Sequence, residues 1–171
     1  NHFARRQVMG RSVLARAEDP DLPINTSARR RPVRFRVLGT FSDHHFINVS
    51  TQFVDGNLLV WGSGPYRASE PRLAMLDAEA LARLASGRPA EKGTVPFSAG
   101  RPSGRLTRKG TVPFSAGLGV RCWAGGGWST READAAPLFR PGALGELSVR
   151  WVPDAGAYLM LAGSGPEDPI G

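Results

Sequence analysis

A chain of 171 residues with 41% hydrophobic and 8% aromatic residues is long enough for one ordinary domain with a core, and too apolar to be disordered. Its 21 glycines and 14 prolines favour a loop-punctuated all-β architecture over a helical one. The formal charge of +7 comes mostly from scattered arginine, and the one dense run, Arg29, Arg30, Arg31, Arg34 and Arg36, has neither stacking aromatics nor a helix-turn-helix, so the expectation is no nucleic-acid partner.

In chain order, residues 11–16 read as a strand ending at Asp19-Pro20, and residues 33–38 as a second. Residues 47–54, Ile-Asn-Val-Ser-Thr-Gln-Phe-Val, alternate apolar with polar and predict a half-buried strand. Asp55-Gly56 is a two-residue hairpin turn leading into the apolar strand at residues 58–61, which closes in Gly62-Ser63-Gly64-Pro65. Residues 72–76 read as an outer strand and 77–85 as a short helix or turn with Asp77 as N-cap.

Lys-Gly-Thr-Val-Pro-Phe-Ser-Ala-Gly then occurs at residues 92–100 and again, letter for letter, at 109–117. Structural repeats drift except where packing or turns forbid it, so perfect identity points to inserted repetitive sequence, similar to translated intergenic repeats. Lys92 and Lys109 are the only lysines of the chain, and Pro96, Pro102 and Pro113 favour an irregular excursion. Residues 90–118 are therefore read as an inserted loop within a single domain spanning 1–171.

After the insert, residues 145–152 alternate as residues 47–54 do, pass a Pro153-Asp154-Ala155-Gly156 turn, continue in the apolar run 158–162 and close again in Gly-Ser-Gly-Pro at 163–166. The two units are offset by 98 residues at the start and 101 at the end, the longer turn taking up the difference. Drift everywhere except alternation, turn and closing motif marks a repeated supersecondary unit. With the insert removed the period is about 70 residues, which suits a four-stranded propeller blade with generous loops.

Val60-Trp61-Gly62-Ser63-Gly64-Pro65-Tyr66-Arg67, Trp123-Ala124-Gly125-Gly126, Trp128-Ser129, the run Glu132 to Phe139 and the run Gly145 to Trp151 resemble domain-of-unknown-function family 4185. The resemblance implies a five-bladed propeller, similar to furanosidase and arabinanase families, some of whose bacterial members cleave D-arabinan from within. It covers residues 10–166 apart from the insert, and implies a partial propeller of two to three blades. A polysaccharide or oligosaccharide is the implied partner, a secreted or cell-envelope location goes with the family although this chain carries no signal peptide, and open blade edges imply self-association.

Glycoside cleavage needs two carboxyl groups, one protonated to assist the leaving oxygen and one ionised. Glu146 is the leading candidate: it is polar beside the apolar Leu147, Val149 and Trp151, and in register with Asn48 of the other unit, so pseudo-symmetry aims both at one axis. The alternative is a salt bridge to Arg150 on the same face. Asp43, before its strand, and Asp134, in a family-like block or capping a turn, are the partner carboxylates, with Asp55 reserved for turn formation. Asn48, His44, Arg67, Arg150 and Trp61 are candidate substrate contacts, with Arg67 alternatively paired to Glu70; Tyr66, Trp123 and Trp128 are further stacking candidates or packing groups.

No metal or cofactor is expected, because His44 and His45, as neighbours on a strand, would point to opposite faces. Cys122 is the only cysteine, which excludes an intramolecular disulfide. Gly62-Ser63-Gly64 lacks nucleophile-elbow spacing, and Gly125-Gly126-Gly127 precedes no helix. No apolar run reaches the length of a membrane span. Three readings compete: a glycoside-hydrolase-like propeller, a non-catalytic binding or scaffold module, and a translated fragment without activity. Deleting residues 90–118 is expected to leave the melting temperature equal or higher; a clear loss on deletion would make the repeat part of the fold.

Overall fold

A computed structural model describes residues 10–18, 34–86, 119–140 and 144–164. The described residues are mostly strand with one helix, and every strand pairing is antiparallel. Strands β1 (Ser12–Ala17) and β2 (Phe35–Ser42) form a hairpin. Strands β3 (Asn48–Val54), β4 (Asn57–Ser63), β5 (Arg72–Leu76), β6 (Val120–Trp123) and β7 (Trp128–Ser129) form a five-stranded meander in that order. Strands β8 (Leu144–Val152) and β9 (Ala157–Ser164) form the last hairpin.

Local chemistry accounts for the turns. Asp55 (φ 48°) and Gly56 (φ 77°) both take positive φ, as a two-residue turn matching the twist of its strands requires, so Val54 pairs with Asn57 without slippage. The second hairpin turns through a 3-10 segment, Pro153–Ala155, closed by Gly156 at φ 57°. Helix α1 (Ala78–Ala85) begins where Asp77 accepts a hydrogen bond from the Ala80 N–H at 2.8 Å, and an i,i+4 pair of Glu79 and Arg83 lies on its outer side. The residue pattern predicts neither β6 nor β7. The segment 90–118 lies outside the described residues, between α1 and β6.

The meander has two faces. Cross-strand neighbours Val60, Ala74 and Cys122 form one buried row, and Leu58, Leu76 and Val120 a second. Phe41, Phe46, Ala80 and Ala135 complete this core, with Leu14 from β1 and Leu81 and Leu84 from α1 packed against it. Gly62 is required here: a Cβ would sit 2.6 Å from the Phe46 ring. The opposite face carries Asn48, Ser50 and Gln52 on β3 and Trp61 on β4. There β8 approaches edge-on: the N–H of Val149 donates to Ser50 Oγ at 3.0 Å and that of Trp151 to Gln52 Oε1 at 2.8 Å. Both bonds span 99 residues, so β8 runs parallel to β3. Tyr158 of β9 packs its ring 5.0 Å from Trp61. The meander is thus sandwiched between the two hairpins.

Leu76 is fully buried, and Leu76→Ala should cost about 2–5 kcal/mol through lost burial and a residual cavity. Leu159→Ser, on an exposed face, should change stability by less than about 0.5 kcal/mol. Urea unfolding followed by circular dichroism checks both; comparable losses would contradict the assignment of the core.

Candidate functional site

Three short elements meet at the start of β8. The turn after β4 carries Tyr66 and Arg67, and Arg67 holds a left-handed conformation (φ 56°), a strained state for a non-glycine residue. It is held there because the Arg67 N–H donates to the Leu144 carbonyl at 3.0 Å, while the Leu144 N–H donates to Ser69 O at 3.3 Å. Gly145 lets the Tyr66 ring lie against β8, since a Cβ would come within 3.1 Å of it. The strand register shifts between Leu144 and Leu147, and Glu146 sits within that bulge. A bulge bends the strand and re-aims its side chains.

An open groove results, lined by Tyr66, Arg67, Glu146, Ser148, Leu161 and their neighbours. The Arg67 guanidinium stands 5.2 Å from the centre of the Tyr66 ring, a cation-π contact that orients both. Glu146 is exposed and has no ion pair among the described residues; Arg150, the expected salt-bridge partner, is also exposed and sits opposite Leu159. The groove therefore offers one carboxylate, one guanidinium, one hydroxyl from Ser148 and one aromatic ring.

Several candidates fall elsewhere. Asn48 is buried and structural: its Nδ2 donates to Gly64 O at 2.9 Å, clamping the end of the first hairpin. The expected symmetry of Asn48 and Glu146 fails because β3 pairs in continuous register whereas β8 carries its bulge at Glu146. Trp61 is only 5% exposed and presents no free ring to a sugar; on the neighbouring hairpin Trp151 and Tyr158 are the partly exposed aromatics. Arg67 does not pair with Glu70, which binds Arg72 at 3.3 Å and Arg140 at 3.9 Å. Trp123 and Trp128 pack edge-to-face against each other at 5.8 Å. Asp134 accepts from Ser129 Oγ at 2.6 Å and holds a turn, and neither it nor the exposed Asp43 lines the groove.

His44 and His45 do not lie on a strand. They occupy a bend, residues 43–45, and their rings stack at 4.0 Å, so the expectation of opposite faces is corrected. That bend is built on Ser42, only 1% exposed, whose Oγ donates to Glu132 Oε1 at 2.5 Å and accepts from the N–H groups of His44 and Phe46 at 3.1 and 3.0 Å. Glu132 Oε1 also accepts from the His45 N–H at 2.8 Å. This polar knot was invisible in the sequence, because its partners are 90 residues apart. Buried with its hydroxyl committed to a carboxylate, Ser42 is a fastening and not a nucleophile. Cys122 is excluded too, since burial pushes its thiol up to about 12, far above any reactive range. Among the described residues no group of three histidine, cysteine or acidic side chains could hold a metal ion, and no helix is long and apolar enough to cross a membrane.

Neither a family model nor a curated protein matches this chain.

Burial holds the His45 imidazole below its ordinary pKa of 6.5, helped by the nearby Arg72 and His44 charges and opposed by Glu132 and Glu70. Below pH 6.5 the unfolded chain binds this proton more readily than the folded one. The stability present above pH 6.5 is therefore lost progressively as pH falls through the folded value. Melting temperature measured from pH 7.5 to 5 should drop more for the wild type than for His45→Gln; parallel curves would remove His45 as a cause.

Proposed function

We propose that this chain is a propeller-type glycan-handling protein that binds a furanose-containing glycan, such as D-arabinan, in the groove between Glu146 and Arg67. Supporting the propeller reading is the way the two repeated hairpins stack: inner strands β3 and β8 run parallel, side by side, each heading its own antiparallel unit. Inner strands of successive blades share one direction around a propeller axis, whereas two hairpins merged into one sheet would not stack in this way.

The observation that carries the binding reading is Glu146 itself, set in a strand bulge, exposed, without an ion pair among the described residues, and beside a strained Arg67 fixed over Tyr66. Sugars are recognised by charged and amide groups that bind hydroxyls and by aromatic rings that cover C–H faces. The groove holds two charged groups, a hydroxyl and one aromatic ring. In an ancestral hydrolase Glu146 would serve as the acid/base group, but hydrolysis needs a second carboxyl group some 5–10 Å away, and neither Asp43 nor Asp134 lines this groove. The non-catalytic reading is accordingly favoured for the chain by itself.

Calorimetric titration with D-arabinan oligosaccharides should register binding, and Arg67→Ala should weaken it by about tenfold or more. Glu146→Gln should keep the fold and weaken binding less, because the amide still bonds hydroxyls. Oligosaccharide release by the wild type, abolished by Glu146→Gln, would restore catalysis; absence of both binding and release on furanose glycans would overturn the proposal.

A further inference from the structure

Side chains of β3 receive the edge of β8 at a fixed spacing. Ser50 accepts from the N–H of Val149 and Gln52 from that of Trp151, each pair 99 residues apart. Asn48 is the next side chain along that face of β3, and at the same spacing it meets Leu147. Leu147 stands opposite Ala162 as Val149 stands opposite Met160 and Trp151 opposite Tyr158. Alternate pairs of an antiparallel ladder turn their N–H groups outward, so the Leu147 N–H belongs to the same edge as those of Val149 and Trp151. Asn48 is only 5% exposed, and its Oδ1 is buried without a hydrogen-bond partner.

Turning the Asn48 amide round does not remove that orphan. Its Nδ2 donates to Gly64 O at 2.9 Å, and a carbonyl oxygen can only accept, so Oδ1 faces away from the turn that carries Tyr66 and Arg67. A buried acceptor left unpaired is costly, which favours a small movement that supplies a donor. The chain has room for one. Leu144 is tied to that turn, its carbonyl accepting from the Arg67 N–H at 3.0 Å, and Val149 is tied to Ser50. Between these two anchors the register shifts, and among the described residues Gly145, Glu146 and Leu147 make no hydrogen bond to β3.

We infer that Asn48 is the positioning residue of the groove: its Nδ2 holds the turn bearing Tyr66 and Arg67, and its Oδ1 accepts the Leu147 N–H as a third rung when β8 shifts toward β3. Glu146 directly precedes Leu147, so forming the rung carries the carboxylate with it and resets its distance from the Arg67 guanidinium. The groove thus has two settings, one hydrogen bond apart. A bulged strand can make such a shift because its extra residue is not committed to the ladder. The rung depends only on the geometry of β3 and β8, whereas its bearing on a bound sugar rests on the groove being the binding site.

Amide hydrogen exchange of the full chain, followed by NMR without ligand, reads the rung at Leu147. In the wild type this amide should exchange at least roughly tenfold more slowly than an unstructured one, as a populated hydrogen bond requires. Asn48→Ala and Asn48→Asp both lose the bond to Gly64, but only the aspartate keeps an acceptor. Leu147 protection should therefore be lost in Asn48→Ala and kept in Asn48→Asp, with Val149 protected in both. A freely exchanging Leu147 amide in the wild type overturns the inference, and this measurement needs no variant to fold. Equal Leu147 protection in the wild type and Asn48→Ala overturns it too, as does loss of that protection in Asn48→Asp while Val149 stays protected. Titration of the wild type with D-arabinan oligosaccharides separates the two readings. No binding with a protected Leu147 rejects the groove as a sugar site and leaves the rung standing, whereas binding with an unprotected Leu147 does the reverse.

Discussion

Strand β8 is the outer edge of a two-stranded hairpin, so its outward N–H groups would ordinarily face water or another chain. Ser50 Oγ and Gln52 Oε1 receive those of Val149 and Trp151 instead. An edge left open is a template for misassembly, and one capped by side chains from another sheet is held at a fixed distance and direction. Much of the remaining structure follows from this constraint. It sets β3 and β8 parallel, brings Tyr158 against Trp61, and lays the start of β8 beside the Tyr66-Arg67 turn, where the groove forms.

Division of labour between the two faces of the meander is equally physical. One face is covered by apolar rows from neighbouring strands and by α1, and supplies most of the burial. The other is a mixed face on which hydroxyl and amide groups meet backbone donors. Alternation along β3 serves both: Val49 and Thr51 turn one way, Ser50 and Gln52 the other. The groove lies at the end of the second face, where strand regularity gives out in a bulge and a left-handed arginine.

What could be read in the sequence was local. Asp77 as a helix cap, Asp55-Gly56 as a tight turn and the strands at 47–54 and 145–152 depend on neighbours within a few positions, and each appears, although on β3 the apolar Val49 and Phe53 are the exposed positions and Asn48 the buried one, the reverse of what the alternation predicts. What could not be read depends on distant partners or on small departures from regularity. The bulge at Glu146 breaks the symmetry with Asn48, although the two flanking sequences look equivalent. Ser42 and Glu132 meet across the chain to bend residues 43–45 out of any strand, which is why the two histidine rings stack. Burial of Trp61 and partial exposure of Trp151 and Tyr158 are decided by which hairpin lies on top, and no residue pattern states that.

Amide hydrogen exchange at Val149 and Trp151 tests the stacking of β8 on β3 most directly. The account predicts that both amides exchange slowly although no neighbouring strand pairs with them, and that Ser50→Ala selectively accelerates Val149 while leaving the amides bonded within β8–β9 protected. Fast exchange of both amides in the wild type, with the meander itself well protected, would contradict the stacked arrangement and the groove built on it.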